Sequence, residues 1–90
     1  MKIAVIGGKL QGVEAAYLAK KAGWEVIVID RNRDVPAETV GDSFVQLDVN
    51  SDKSFREIIA NCQLVIPALE DKKALESICL TTDRIGVPLS

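Results

Sequence analysis

The 90-residue sequence contains no histidine and only two cysteines. Without histidine there is no Ser–His or Cys–His nucleophile pair and none of the usual zinc sites. Cys62 and Cys79 stand in unrelated apolar contexts, one just ahead of a strand pattern and one on a helix face. They read as buried free thiols rather than as a disulfide or a metal pair. Aromatic residues are scarce at 4%, and no apolar run approaches the ~20 residues that cross a bilayer. Charge of one sign is also lacking. Eleven Lys and Arg stand against 13 Asp and Glu, for a net charge of −2, with no basic block. That excludes the electrostatic footprint of a nucleic-acid or anionic-membrane binder. Met1-Lys2-Ile3 enters a strand pattern directly, without signal-peptide anatomy, so the expected address is the cytoplasm.

What is present is ordinary for a soluble globular chain: 48% apolar and 27% charged residues. A chain of this length makes one domain and buries about 60–65% of the surface it exposes when unfolded. The near-continuous Ile/Val content of Lys2–Ile6 predicts a strand covered on both faces. A helix is predicted over Leu10–Ala22, with Gly12, Ala15, Ala16, Ala19 and Ala22 packing closely on the sheet and Gly23 ending it. A second strand runs over Glu25–Ile29 and closes on Asp30. Pro36 opens a short helix to Val40, which Gly41-Asp42 breaks.

The third strand is Ser43–Leu47, and the second full helix is Lys53–Asn61, burying Phe55, Ile58 and Ile59. Ser54 with Glu57 has capping-box spacing, while Ser51 and Asp52 are alternative caps. A fourth strand, Gln63–Ile66, is stopped by Pro67. A helix over Asp71–Arg84 turns Ala74, Leu75, Ile78 and Cys79 to one face, with Gly86 and Pro88 beyond its end. Val87-Pro88-Leu89 opens a fifth strand. This alternation predicts a three-layer, Rossmann-like α/β fold with a doubly wound parallel sheet in strand order 3-2-1-4, the fifth strand beyond. Ligands of such sheets bind outside the carboxyl ends of the strands, which puts Gly7–Gly12, Asp30, the Asp48 loop and Pro67–Asp71 on one rim.

The corner Gly7-Gly8-Lys9-Leu10-Gln11-Gly12 is the strongest local signal. A strand ending in glycines and turning straight into a helix offers backbone N–H groups to an anion or polar ligand. Against the dinucleotide fingerprint G-x-G-x-x-G, Gly7 and Gly12 fit, and Asp30 fits the acidic residue about 20 positions on. Lys9 occupies the middle glycine, where a side chain crowds a pyrophosphate. A Walker loop is excluded, because Val13 and Glu14 follow Gly12. Close packing of strand and helix accounts for Gly7 and Gly12 taken singly. It does not account for Lys9-Leu10-Gln11, a cation, an apolar chain and an amide projecting from a helix start.

The run Ile6-Gly7-Gly8-Lys9-Leu10-Gln11-Gly12, then Glu14-Ala15-Ala16-Tyr17-Leu18 and Lys20-Lys21-Ala22-Gly23, resembles the opening of the ATP-grasp amino-acid ligases. It looks most like the pyrrolysine-biosynthesis ligases, which join 3-methyl-D-ornithine to lysine. The similarity continues through Val28-Ile29-Asp30-Arg31-Asn32, Leu64-Val65-Ile66-Pro67 and Glu70-Asp71. It implies a pre-ATP-grasp domain whose corner faces the substrate. Gly8, Lys9, Leu10 and Gln11 would then contact an amino-acid substrate such as lysine, or a nucleotide phosphate. By the same resemblance Glu70 would bind a substrate amine, Asp30 a ribose hydroxyl, and Asp48 and Val49 would lie on the same rim. Plain structural roles compete for three carboxylates: a first-turn charge for Glu70, an N-cap for Asp71 and a turn cap for Asp30.

The family's ATP-grasp domains, with their nucleotide lysines and magnesium carboxylates, are absent from these 90 residues. The resemblance therefore implies a domain that positions substrate, with ATP and magnesium belonging to the full-length enzyme and to partner domains in the same or a separate chain. Alone it is not expected to catalyse ligation. The competing expectations are an NAD(P)- or nucleotide-sensing regulatory Rossmann domain, which Lys9 disfavours, and a pure interaction domain.

Overall fold

The computed structural model describes the backbone of residues 1–90 and every side chain except that of Asp52. Four strands, β1 (Lys2–Ile6), β2 (Glu25–Asp30), β3 (Ser43–Gln46) and β4 (Leu64–Pro67), form one sheet in the order β3-β2-β1-β4. All three pairings are parallel, with Ala4 opposite both Ile27 and Val65. The helices are α1 (Leu10–Lys21), α2 (Asp52–Ile59) and α3 (Lys72–Ile85), and Pro36–Thr39 forms a 3-10 turn.

The alternation of each strand feeds two cores. Ile3, Val5, Val26 and Val28 face Ala16 and Ala19 of α1. Ala4, Ile6, Ile27, Ile29 and Val65 face Phe55 and Ile59 of α2 and Ala74 and Ile78 of α3. The sheet is thus the middle of three layers, which is why its strands read as unbroken apolar runs. The α1 side is filled by small residues because that helix packs close. A Cβ on Gly12 would lie 1.9 Å from the Gly7 carbonyl oxygen. The helix ends with two bonds that satisfy its last carbonyls, Trp24 N–H to Ala19 at 3.1 Å and Gly23 N–H to Lys20 at 2.9 Å.

Several expected boundaries move. Ala22 is the cap of α1 and is exposed, Asp30 is the last residue of β2, and Leu47 lies past the end of β3. The capping box of Ser54 and Glu57 does not form, since α2 starts two residues before Ser54. Ser51 takes the cap position without a side-chain bond, and the alternative cap Asp52 lies outside the described side chains. Pro67 ends β4 as a member rather than stopping it, paired with Ile6. The Val65 N–H points outward to Pro88 and the Ala68 N–H inward to Ile6, so the donor that proline lacks falls on the outward side.

On α3 the buried face is Ala74, Ile78, Thr81 and Thr82. Leu75 is half-buried and Cys79 is exposed, so only Cys62 is a buried thiol. Burial pushes the Cys62 thiol up from its ordinary value. The fifth strand is reduced to a single parallel bridge between Val65 and Leu89.

One ion pair ties the α1 layer to the sheet. Lys20 bonds to Asp42, whose other carboxylate oxygen accepts the Val26 N–H at 2.7 Å. The Lys20 bond first, and the Val26 N–H second, hold the Asp42 carboxyl below its ordinary value of 3.8. A carboxyl lowered by folding contributes stability that is complete above its unfolded value and is lost as the pH falls through the folded one. Asp42→Asn is therefore expected to lower the urea midpoint near neutrality and to leave a smaller further drop between about pH 5 and about pH 3. An acid-induced drop as large as that of the native chain would contradict the assignment.

Candidate functional site

The glycine corner is built by backbone bonds from three strands. The Gly7 N–H donates to Ile29 at 2.7 Å, and the Ala68 N–H to Ile6 at 2.7 Å. Gly7 sits at a φ of +110°, and a Cβ there would lie 2.4 Å from the Ala68 carbonyl oxygen, so no other residue fits without displacing β4's end. The peptides on either side of the Gly8 Cα are both held. The Gly8 N–H donates to Asp30 Oδ2 at 2.7 Å, and the Gly8 carbonyl accepts the Ala37 N–H at 2.8 Å.

Lys9 follows as the N-cap of α1, in extended conformation, and its side chain does not cap the helix. No acidic residue lies in the first turn of α1. Leu10 is 75% exposed and Gln11 is exposed. The helix start is therefore uncapped, apolar at its first residue and next to a cation. By contrast the start of α3 is closed, because Asp71 Oδ1 accepts the N–H groups of Lys73 at 2.9 Å and Ala74 at 3.3 Å.

These elements surround a cavity of about 500 Å³ at the carboxyl edge of the sheet. All eight candidates, Gly8, Lys9, Leu10, Gln11, Asp30, Asp48, Val49 and Glu70, line it. They differ in how free they are. Asp30 Oδ2 accepts the Gly8 N–H and Oδ1 accepts the Asn32 N–H at 2.9 Å. Asp48 Oδ1 accepts the Asn50 N–H at 2.9 Å, and Asn50 in turn takes the Ser77 hydroxyl. Val49 is 6% exposed and belongs to the α2–α3 core, so it forms floor rather than rim. Glu70 sits one residue ahead of the α3 cap rather than in the first turn. Among the described residues, the side chains of Lys9, Gln11, Arg31 and Glu70 make no hydrogen bond or ion pair.

Arg31 and Asn32 also line the cavity and were not among the residues expected there, whereas Leu69 lies in the expected stretch Pro67–Asp71. The signal for Arg31 was available: it is the first residue past β2, at the same edge as the corner. Among the described residues, no group of three or more His, Cys, Asp or Glu is placed to hold a metal ion. Two cations, Lys9 and Arg31, line the cavity and can hold an anionic group. No helix among the described residues is long and apolar enough to cross a membrane.

The sequence and the fold have counterparts in known proteins. The 3-methyl-D-ornithine–L-lysine ligase of Methanosarcina acetivorans is 35% identical over 88 residues, 97% of this chain and 24% of the ligase. The N5-carboxyaminoimidazole ribonucleotide synthase of Staphylococcus aureus is 27% identical over 86 residues, 96% of this chain and 23% of that protein. The crystal structure of N5-carboxyaminoimidazole synthetase from the same organism, solved with ADP, superposes with a TM-score of 0.83 at 24% identity, over 98% of this chain and 23% of that one. The chain thus spans about a quarter of the length of the curated relatives it matches. Residues 3–89 match the family described as PylC-like, N-terminal domain. With its parallel 3-2-1-4 sheet and glycine corner, the chain belongs to this family of N-terminal domains of ATP-grasp ligases.

Proposed function

We propose that this chain positions the amine-bearing substrate of an ATP-dependent carboxylate–amine ligase, and that the amine substrate is an amino acid such as lysine, joined to 3-methyl-D-ornithine. The observation that carries this reading is the pairing across one cavity of an unpartnered cation at an uncapped helix start, Lys9, with an unpartnered carboxylate, Glu70. An amino acid brings a carboxylate for the first and an ammonium for the second. Its aliphatic part finds Leu10, Leu47, Val49 and Leu69 along the lining. The similarity to the lysine ligases of Methanosarcina supports the choice of substrate.

ATP, with magnesium, supplies the phosphoryl group that activates the carboxylate partner, and both are held by further domains, in the same chain or another. The task of these 90 residues is to hold the amine and keep it oriented. Lys9 and the free N–H groups of the α1 start take the anionic end, and Glu70 and Asp48 take the cationic end. Such a ligase works in the cytoplasm, where ATP is supplied.

Calorimetric titration of the chain with L-lysine, ADP and NADH tests the reading. Binding of lysine is the expected result. Tight binding of NADH with no response to lysine or ADP would replace it with the nucleotide-sensing function. Lys9→Ala is expected to weaken lysine binding about tenfold, the loss of one charge-assisted contact of about 1.5–3 kcal/mol partly offset by water, with thermal stability unchanged. Unfolding of this variant would show that Lys9 is not a rim residue.

A further inference from the structure

In a dinucleotide-binding corner the acidic residue at the end of the second strand hydrogen-bonds a ribose hydroxyl. Asp30 stands at that place, and its surroundings give it different work. Its two oxygens accept two backbone N–H groups, Gly8 at 2.7 Å and Asn32 at 2.9 Å. The first bond spans from the end of β2 to the Gly7–Gly8 peptide. The following peptide, Gly8–Lys9, is held at its carbonyl by the Ala37 N–H at 2.8 Å. The Gly8 Cα is pressed from behind by Val35, whose Cγ2 would lie 2.3 Å from a Cβ at Gly8. Gly8 is buried although Lys9, the next residue, is exposed.

We infer that Asp30 is a positioning residue: its carboxylate fixes the Gly8 peptide, and through it the direction in which Lys9 leaves the corner. The ribose role that the resemblance gives Asp30 is the alternative that the test below distinguishes. The inference rests on the proposed role of Lys9 as holder of the anionic end of the substrate. The placement of Lys9 by Asp30 stands or falls separately from that role.

The test compares the native chain with Asp30→Ala, Asp30→Asn, Lys9→Ala and the Asp30→Ala/Lys9→Ala double variant. Asp30→Ala removes both acceptors. Asp30→Asn keeps one acceptor and serves if the alanine variant fails to fold. Amide hydrogen exchange at Gly8 and Asn32 is expected to speed up about tenfold or more in Asp30→Ala, with Val5 and Ile29 unchanged. In the same variant the Lys9 Cα and Cβ chemical shifts should leave their extended values.

For L-lysine, Asp30→Ala should lose about as much affinity as Lys9→Ala, and the double variant should lose no more than either. For ADP, Asp30→Ala should cost no more than Lys9→Ala costs. Unchanged Gly8 exchange and Lys9 shifts would overturn the inference. So would losses that multiply in the double variant, or a loss of ADP affinity with Lys9 undisturbed, which is the signature of a ribose ligand. If the native chain binds neither lysine nor ADP, the proposed function fails, and exchange and shifts still decide the placement of Lys9.

Discussion

Gly12→Ala is expected to destabilise the chain by more than about 3 kcal/mol, a large part of the roughly 5–15 kcal/mol that holds a domain folded. The added Cβ would lie 1.9 Å from the Gly7 carbonyl oxygen and 2.8 Å from its carbon. Both are backbone atoms, so no side chain can rotate away. Gly7 cannot retreat either, because its N–H is held by Ile29 and it lies against the Ala68 carbonyl. The helix must lift, and its contacts from Ala16 and Ala19 to Val5 and Val28 open with it. Urea unfolding should show the midpoint falling with little change of slope. A lifted α1 also carries Lys9 and Gln11 off the rim, so any variant molecules that fold should bind lysine poorly. A native-like midpoint would mean that α1 does not approach the corner this closely.

Phe55→Ala is expected to cost about 3–5 kcal/mol and to lower the melting temperature by more than about 10 °C. Phe55 is fully buried and is the largest such side chain in the molecule. With Ile59 it anchors α2, a helix of eight residues, too short to persist without tertiary packing. Phe55→Leu should cost distinctly less, since most of the volume is kept. The effect should reach the cavity, because Val49 packs in the same cluster and forms part of the cavity floor. Calorimetric melting checks the first claim. A loss below about 1 kcal/mol would place Phe55 at a site that collapses freely.

The layers were legible from residue types alone. Runs such as Val26-Ile27-Val28-Ile29 have no polar position to face water, and only a sheet covered on both sides uses them that way. The rim followed, since parallel strands put all their carboxyl ends together. Where reading failed, a polar group had found a partner that sequence does not display. Thr82 was not placed on the buried face of α3, yet its hydroxyl donates to the Ile78 carbonyl at 2.8 Å and the residue is buried, while Cys79 is exposed. Asp30 matched a ligand pattern by spacing; the turn cap at Asn32 was readable beside it, while the bond from its other oxygen to Gly8, 22 residues earlier, was not. Pro67 reads as a strand breaker because the side of the ladder that needs no donor is invisible until the register is known.

The strand order also bears on how the chain is made. Synthesis releases β1 first, yet β1 lies in the interior of the sheet, between β2 and β4. Its outer neighbour emerges only after α2, so a nascent chain that has released β1 through α2 carries a naked sheet edge along Ile3-Ala4-Val5-Ile6. Such an edge is a template for pairing with other chains until β4 arrives. A chain from which β4 has not yet emerged therefore exposes the edge most prone to pair with other chains.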